Sequence, residues 1–240
     1  MSIKKKLIIF LCAVVASALI VGLGSCKTHD RSSRTHEDDA ANKQVTLYLV
    51  RHAETDANVR GLLAGSGTDV MLTDHGKKQA IKTGACLAKV KFDSVYTSEL
   101  TRTKDTASLI MKENKTIKKK LKFKTLKGLN DINWGELEGK TIAEASNADP
   151  NFNLDSYLGN LDDDNFKPDF GIESRGHLCK RFDQAFDEII SQAKDKDNIL
   201  VVSHSSMAWW LNKSVKGIHI DYLPNASVTK VVYENGHFKK

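Results

Sequence analysis

The chain has 240 residues, 28% of them Asp, Glu, Lys or Arg, and a formal charge of +6 at pH 7. Three of those charges are Lys4, Lys5 and Lys6, and residues 1–25 hold no acid, so the chain from Cys26 onward carries only +3. So small a surplus speaks against nucleic acid as a partner, and Val45–Lys240 is long enough for one α/β domain with a full core.

The three lysines lead into an apolar run, Leu7–Val21, too short and too N-terminal for a membrane-spanning helix. It ends at Leu23-Gly24-Ser25-Cys26. Small residues before a Cys, just after an apolar run, resemble a bacterial lipobox. That resemblance implies cleavage before Cys26 and attachment of lipid there. Residues 1–25 then read as a lipoprotein signal peptide and 26–44 as the lipidated Cys with a flexible tether, polar and without apolar periodicity. The expected address is the bacterial cell envelope, on its periplasmic or cell-surface face, held to the membrane by acyl chains. An uncleaved anchor helix is the alternative. A cleaved signal releasing a soluble protein would leave Cys26 unexplained.

Val45–Val50 alternates and is β-branched, which predicts a strand. Thr73 or Asp74 caps a helix running to about Val90. Phe92–Thr97 reads as a strand, Leu100–Met111 as a helix, and Leu121–Leu126 as a lysine-bearing edge strand. The surrounding run Lys112–Lys127 reads as a solvated basic face, with anionic surfaces or polyphosphorylated ligands as the sharper alternative. Ser146–Phe170 is polar and acidic with scattered aromatics, and is expected to form a long loop over the site. Ser174–Lys194 is a long amphipathic helix, Asn198–Ser203 a buried strand, Ser206–Val215 a helix, and Ala226–Tyr233 a last strand before an Asn235-Gly236 turn. Cys86 and Cys179 lie in helical patterns and are expected as buried free thiols. No metal-ligand spacing appears. Alternating strands and helices predict a three-layer α/β sandwich, with a mostly parallel sheet between helices.

Ligands of such sheets bind beyond the carboxyl ends of the strands. Arg51-His52, Thr97-Ser98 and Ser203-His204 all sit at such ends. An Arg beside a His there offers a phosphate clamp next to a nucleophile, and Ser98–Arg102, Leu129–Gly139 and Ser203-His204 are the segments able to complete the site.

Arg51-His52-Ala53-Glu54-Thr55 with Asn58, Asp69-x-x-Leu72-Thr73-x-x-Gly76-x-x-Gln79-Ala80, Ser98-x-Leu100-x-Arg102-x-x-x-Thr106-Ala107 and Ser203-His204 stand in this order along the chain. The set resembles the histidine phosphatase superfamily, also called phosphoglycerate mutase-like, in its first branch. The resemblance implies His52 as a nucleophile that accepts a phosphoryl group. It implies Arg51 and Arg102 as phosphate clamps, and His204 as a further donor whose charge favours the transition state. Asn58 would hydrogen-bond phosphate or substrate. The family's Glu of Leu-x-Glu-x-x-x-Gly stands here as Asp131, one methylene shorter, in Leu129–Gly139. It is the expected acid for the leaving oxygen, with Glu54 and Glu136 in reserve and Glu138 in a structural role. Ala53 replaces the family's Gly. Ser205-Ser206 replaces a frequent Gly-Gly, and Ser205 would narrow the pocket or add a hydroxyl. Glu173-Ser174 is expected to cap and pack the helix that follows. Trp134 would line the pocket, while Trp209 and Trp210 read as core.

The implied activity is a phosphomonoesterase with no metal and no cofactor, acting on a small phosphorylated substrate. A phosphoglycerate mutase-type phosphotransferase and a non-catalytic phosphate-ligand binding module are the alternatives. Ser146–Phe170 lacks the basic, Tyr-Asp-rich stretch expected of the mutases.

Overall fold

The computed structural model describes residues 43–116, 121–148 and 169–240. The leader, Cys26 and most of the tether lie outside the described residues. Among the described residues no helix is long and apolar enough to cross a membrane.

One seven-stranded sheet runs through the domain: β1 (Val45–Arg51), β2 (Ser94–Thr97), β3 (Phe123–Thr125), β4 (Asn198–Ser203), β5 (Val215–Lys216), β6 (Val228–Glu234) and β7 (His237–Lys239), in the order β3-β2-β4-β1-β6-β7-β5. β1, β2, β3 and β4 are mutually parallel, and β6 runs antiparallel to β1 and to β7. Among the described residues the α-helices are α1 (Asp56–Arg60), α2 (Asp74–Leu87), α3 (Thr101–Lys112), α4 (Ile142–Ala148), α5 (Arg175–Gln192) and α6 (Met207–Ser214).

The central strands are apolar over most of their length, as strands buried on both faces are. Leu47, Leu49, Ile199 and Val201 point to one face, where α5 and α6 cover them with Leu178, Phe182, Phe186, Ile189 and Trp210. Val50, Val95, Leu200 and Val202 point to the other, against Leu87, Ala107 and Ile110 of α2 and α3. The expected three layers are present.

Element ends differ from expectation by a few residues. Ser174 caps α5 as expected of its segment, accepting from the His177 amide at 3.1 Å, and the helix ends at Gln192 rather than Lys194. The Thr73 hydroxyl caps α2, which stops at Leu87 rather than Val90. Ser146 belongs to α4 and not to a loop, Asp169 and Phe170 form a short helical turn, and 149–168, most of the expected covering loop, lies outside the described residues. β3 is an edge strand as expected. Cys179 is buried and free, but Cys86 is exposed, because it sits on the outward side of α2.

Candidate active site

Strand register builds the site. Arg51 on β1 pairs with Ser203 on β4, so His52 and His204, the next residue on each strand, leave the sheet side by side. Their ring centroids are 5.2 Å apart. β2 pairs with β4 so that Thr97 faces Val202, which brings the Ser98 hydroxyl to 2.9 Å from His204 Nε2. Leu129–Asp131 follows β3 and closes the third side, with the Ser203 hydroxyl donating to the Leu129 carbonyl at 2.9 Å. The result is an open pocket of about 380 Å³, whose lining includes Arg51, His52, Arg102, Asp131, Trp134 and Trp209.

His52 is 3% exposed. Its Nδ1 lies 2.8 Å from the Ala53 carbonyl. A carbonyl only accepts, so Nδ1 carries the proton and Nε2 is left with its lone pair. Burial first, then the charges of His204, Arg102 and Arg51, hold the imidazole well below its ordinary value of 6.5. His52 is therefore neutral and nucleophilic near pH 7.

His204 is fully buried, and burial, followed by Arg102, Arg181 and Arg51, holds it too well below 6.5. In the ligand-free site His204 is therefore neutral, whereas the charge expected of it concerns the transition state. Its Nδ1 has no hydrogen-bond partner among the described residues, and neither does Arg51 Nε. Buried donors without partners are costly, and an anion seated between them would satisfy both.

The two arginines are held differently. Arg51 donates through Nη1 to the Tyr222 hydroxyl at 2.5 Å and the Leu223 carbonyl at 2.6 Å. Arg102, 1% exposed, donates to the carbonyls of Thr68, Ala64 and Gly65 at 3.0, 3.2 and 3.0 Å. It thereby fixes the 64–68 loop beside the pocket. That loop passes so near Ile132 that a Cβ on Gly65 would lie 1.9 Å from the Ile132 carbonyl, which only glycine allows.

Asp131 is buried beside both histidines. Its Oδ2 is 3.5 Å from His204 Nδ1 and 3.5 Å from Arg102 Nη2, so the shorter acid does reach the site. Glu54 is turned away to Thr73 and His75, and neither it nor Glu136 lines the pocket. Glu138 is structural as expected, accepting from the Gly65, Gly67 and Trp134 amides. Asn58 lines the pocket, but its Oδ1 accepts from the Thr55 amide, the Thr55 hydroxyl and Asn225, each at 3.1 Å. Only its amide group is left to meet a ligand. Ser205 lines the pocket too. Glu173 makes no part of the lining. Burial pushes its carboxyl up, but hydrogen bonds and charge from Arg181, with His177 and the Asn133 amide, outweigh that and leave it below the usual range.

Trp209 was expected in the core. Trp210 is, stacked on Phe186 with centroids 3.8 Å apart, but Trp209 is half-buried and lines the pocket. Residues that pattern did not reveal come mostly from the loop before β6: Tyr222, Asp221 and Asn225, whose Nδ2 also donates to the His52 carbonyl at 3.0 Å. A Tyr-Leu-Pro-Asn run between helix and strand was the available signal. Arg181 on α5 is another. It donates to the carbonyls of Gly128, Asn130 and Asp131 at 2.9, 2.6 and 2.9 Å.

A nitrogen from each of His52 and His204 and an Asp131 oxygen lie within 4.8 Å of one another, a set able to ligate a metal ion. Arg51 and Arg102 line the same pocket. Two fixed guanidinium charges in a buried site disfavour a cation and favour an anion.

Residues 47–240 match the histidine phosphatase superfamily (branch 1). The chain belongs to that superfamily. Its fold follows the phosphoglycerate mutase from Bacillus anthracis str. Sterne, with 25% identity, a TM-score of 0.70, and coverage of 83% of this chain and 92% of that one. A broad-specificity phosphatase from Saccharomyces cerevisiae is 28% identical over 204 residues, 82% of this chain and 83% of its own length. A fructose-2,6-bisphosphatase from Xenopus tropicalis is 40% identical over 101 residues, 42% of this chain, and that match spans only 36% of the frog protein.

Proposed function

We propose that the protein is a metal-independent phosphomonoesterase that works through a phosphohistidine on a small phosphorylated substrate. One observation carries this reading: a neutral His52 with its free Nε2 stands beside Arg51, Arg102, His204 and Asp131 in one pocket. The phosphatase names of the yeast and frog relatives support it.

The arginines and His204 Nδ1 hold the phosphate oxygens, and the arginines supply the positive charge that the transition state needs. His52 Nε2 forms a bond to phosphorus as the ester P–O bond breaks. Asp131 gives its proton to the departing oxygen. Water then attacks phosphorus and passes a proton back to Asp131, while the N–P bond breaks and inorganic phosphate leaves. Trp134, Trp209 and Tyr222 around the mouth give the leaving alcohol an aromatic surround.

The test is phosphate release by the purified full chain from an aryl phosphate and from sugar, glycerate and nucleotide monophosphates, with His52→Ala alongside. Release that vanishes in the variant is expected. Isomerisation of phosphoglycerate without release would make the protein a mutase-type phosphotransferase, and ester binding without turnover would make it a binding module.

We also propose export to the bacterial envelope with lipid on Cys26, supported by Lys4–Lys6, the Leu7–Val21 run and Leu23-Gly24-Ser25-Cys26. Intact-mass measurement of protein extracted from membranes should show an N-terminal acylated Cys26. A free thiol there overturns the anchor.

A further inference from the structure

Asp131 carries the proton in the reaction proposed above, and its two oxygens are held unequally. Oδ1 accepts from the Ser206 hydroxyl at 2.5 Å and from the Ile132 amide at 3.0 Å. Oδ2 has only the two longer approaches, Arg102 Nη2 and His204 Nδ1, both at 3.5 Å. A proton on Oδ1 would point at the Ile132 N–H, which can only donate. Oδ2 is the oxygen beside His204.

Ser206 is placed for this task and gives up another. It occupies the N-cap of α6, where a serine ordinarily accepts from the first turn of the helix. Here it makes no side-chain cap bond. Its hydroxyl is 4% exposed together with the rest of the residue, and it turns to Asp131. Both positions are among those at which the sequence departs from the motif it otherwise follows, a shorter acid and a serine in place of glycine, and the structure brings them into direct contact.

We propose that Ser206 is a positioning residue for the general acid: its hydroxyl occupies Asp131 Oδ1, so that Oδ2 carries the proton to the leaving oxygen. This rests on the phosphatase reading. In the first transfer the N–P bond to His52 forms, the ester P–O bond breaks and the Oδ2 proton goes to the departing oxygen. In the second, the O–P bond from water forms, the N–P bond breaks and the water proton returns to Oδ2. His52 ends as it began.

Leaving-group dependence separates this role from a merely structural one, because poor leaving groups need the proton and good ones need it little. The experiment compares kcat/KM for an alkyl phosphate and for p-nitrophenyl phosphate, in the full chain carrying Ser206→Ala or Ser206→Gly. The alkyl-to-aryl ratio is expected to fall about tenfold in both, part of the 10²–10⁴-fold that general acid catalysis supplies. Inhibition by inorganic phosphate should stay within about twofold, which reports an intact anion clamp. In an Asp131→Asn background Ser206→Ala should change the ratio by less than about twofold, because the residue acts through the acid. An equal loss on both esters, or a further tenfold loss in the Asp131→Asn background, overturns the proposal. Absence of phosphate release by the unaltered chain overturns the phosphatase reading instead.

Discussion

His52 owes its reactivity to one carbonyl, to burial and to the two arginines beside it. The Ala53 carbonyl takes Nδ1–H, so the nucleophilic nitrogen is chosen by the backbone, and burial with His204, Arg102 and Arg51 keeps it unprotonated. Asp131 is the other half of the chemistry. Asp131→Asn keeps the shape and removes the transferable proton, so turnover of an alkyl phosphate should drop ~100-fold or more. Steady-state kinetics on the purified variant check this, and near-normal turnover would move the acid's role elsewhere. Most of this was readable in the sequence. Arg51-His52 and Ser203-His204 end apolar runs, and a run of buried β-branched residues ending in polar ones marks a strand that delivers side chains to a sheet's carboxyl edge. What could not be read was partnership. Ser206 and Asp131 are far apart in the chain and meet only when α6 docks behind the 128–131 loop. Tyr222 and Asn225 lie in a loop with no periodicity to betray which way it folds. The neutrality of His204 follows from burial first and then from arginines on three different elements, one of them Arg181, whose placement no local pattern encodes.

At the scale of elements, strand ends bring the two histidines together, while the side closed by Gly128–Asp131 is a short irregular segment that must be tied down. Gly128–Asp131 lacks a ladder of its own, so its carbonyls need donors from elsewhere. Arg181 provides them from α5, taking three carbonyls while its Nε binds Glu173 at 2.7 Å. α5 was legible as an amphipathic helix, but the pattern places Arg181 only on its polar side. Arg181→Met keeps the packing stem and removes every one of those bonds. It also leaves the Glu173 carboxylate, whose side chain is 8% exposed, with only His177 and the Asn133 amide as partners among the described residues. Loss of one partner of a buried pair costs about 3 kcal/mol, which in a domain of this size lowers the melting temperature by roughly 5–10 °C. Thermal unfolding followed by circular dichroism measures it. Arg181→Met/Glu173→Gln should recover part of the loss, since the unpaired charge is gone. A shift below about 2 °C in the single variant would mean that α5 does not hold the acid loop.

For the whole molecule, two buried neutral histidines make stability a function of pH. Both folded values lie below 6.5, by direction, while the unfolded chain titrates near 6.5. Above that pH neither state binds the proton and the histidines cost nothing. Below it the unfolded chain takes up protons that the folded site refuses, so stability is lost as pH falls. Each histidine contributes about 1.4 kcal/mol per pH unit until its folded value is reached. Urea midpoints between pH 8 and pH 5 should therefore be flat down to about 6.5 and fall steeply below it, and in H52Q/H204Q the decline should flatten. An equally steep decline in that double variant would assign it to other groups. The same site should also relieve the loss. An anion bound between Arg51, Arg102 and His204 offsets the cations that hold His204 neutral, and a ligand that binds only the folded state adds about 2.7 kcal/mol at a hundred times its Kd. Inorganic phosphate should therefore raise the midpoint more at pH 5.5 than at pH 8. An equal rise at both would mean that the anion does not sit against the histidines.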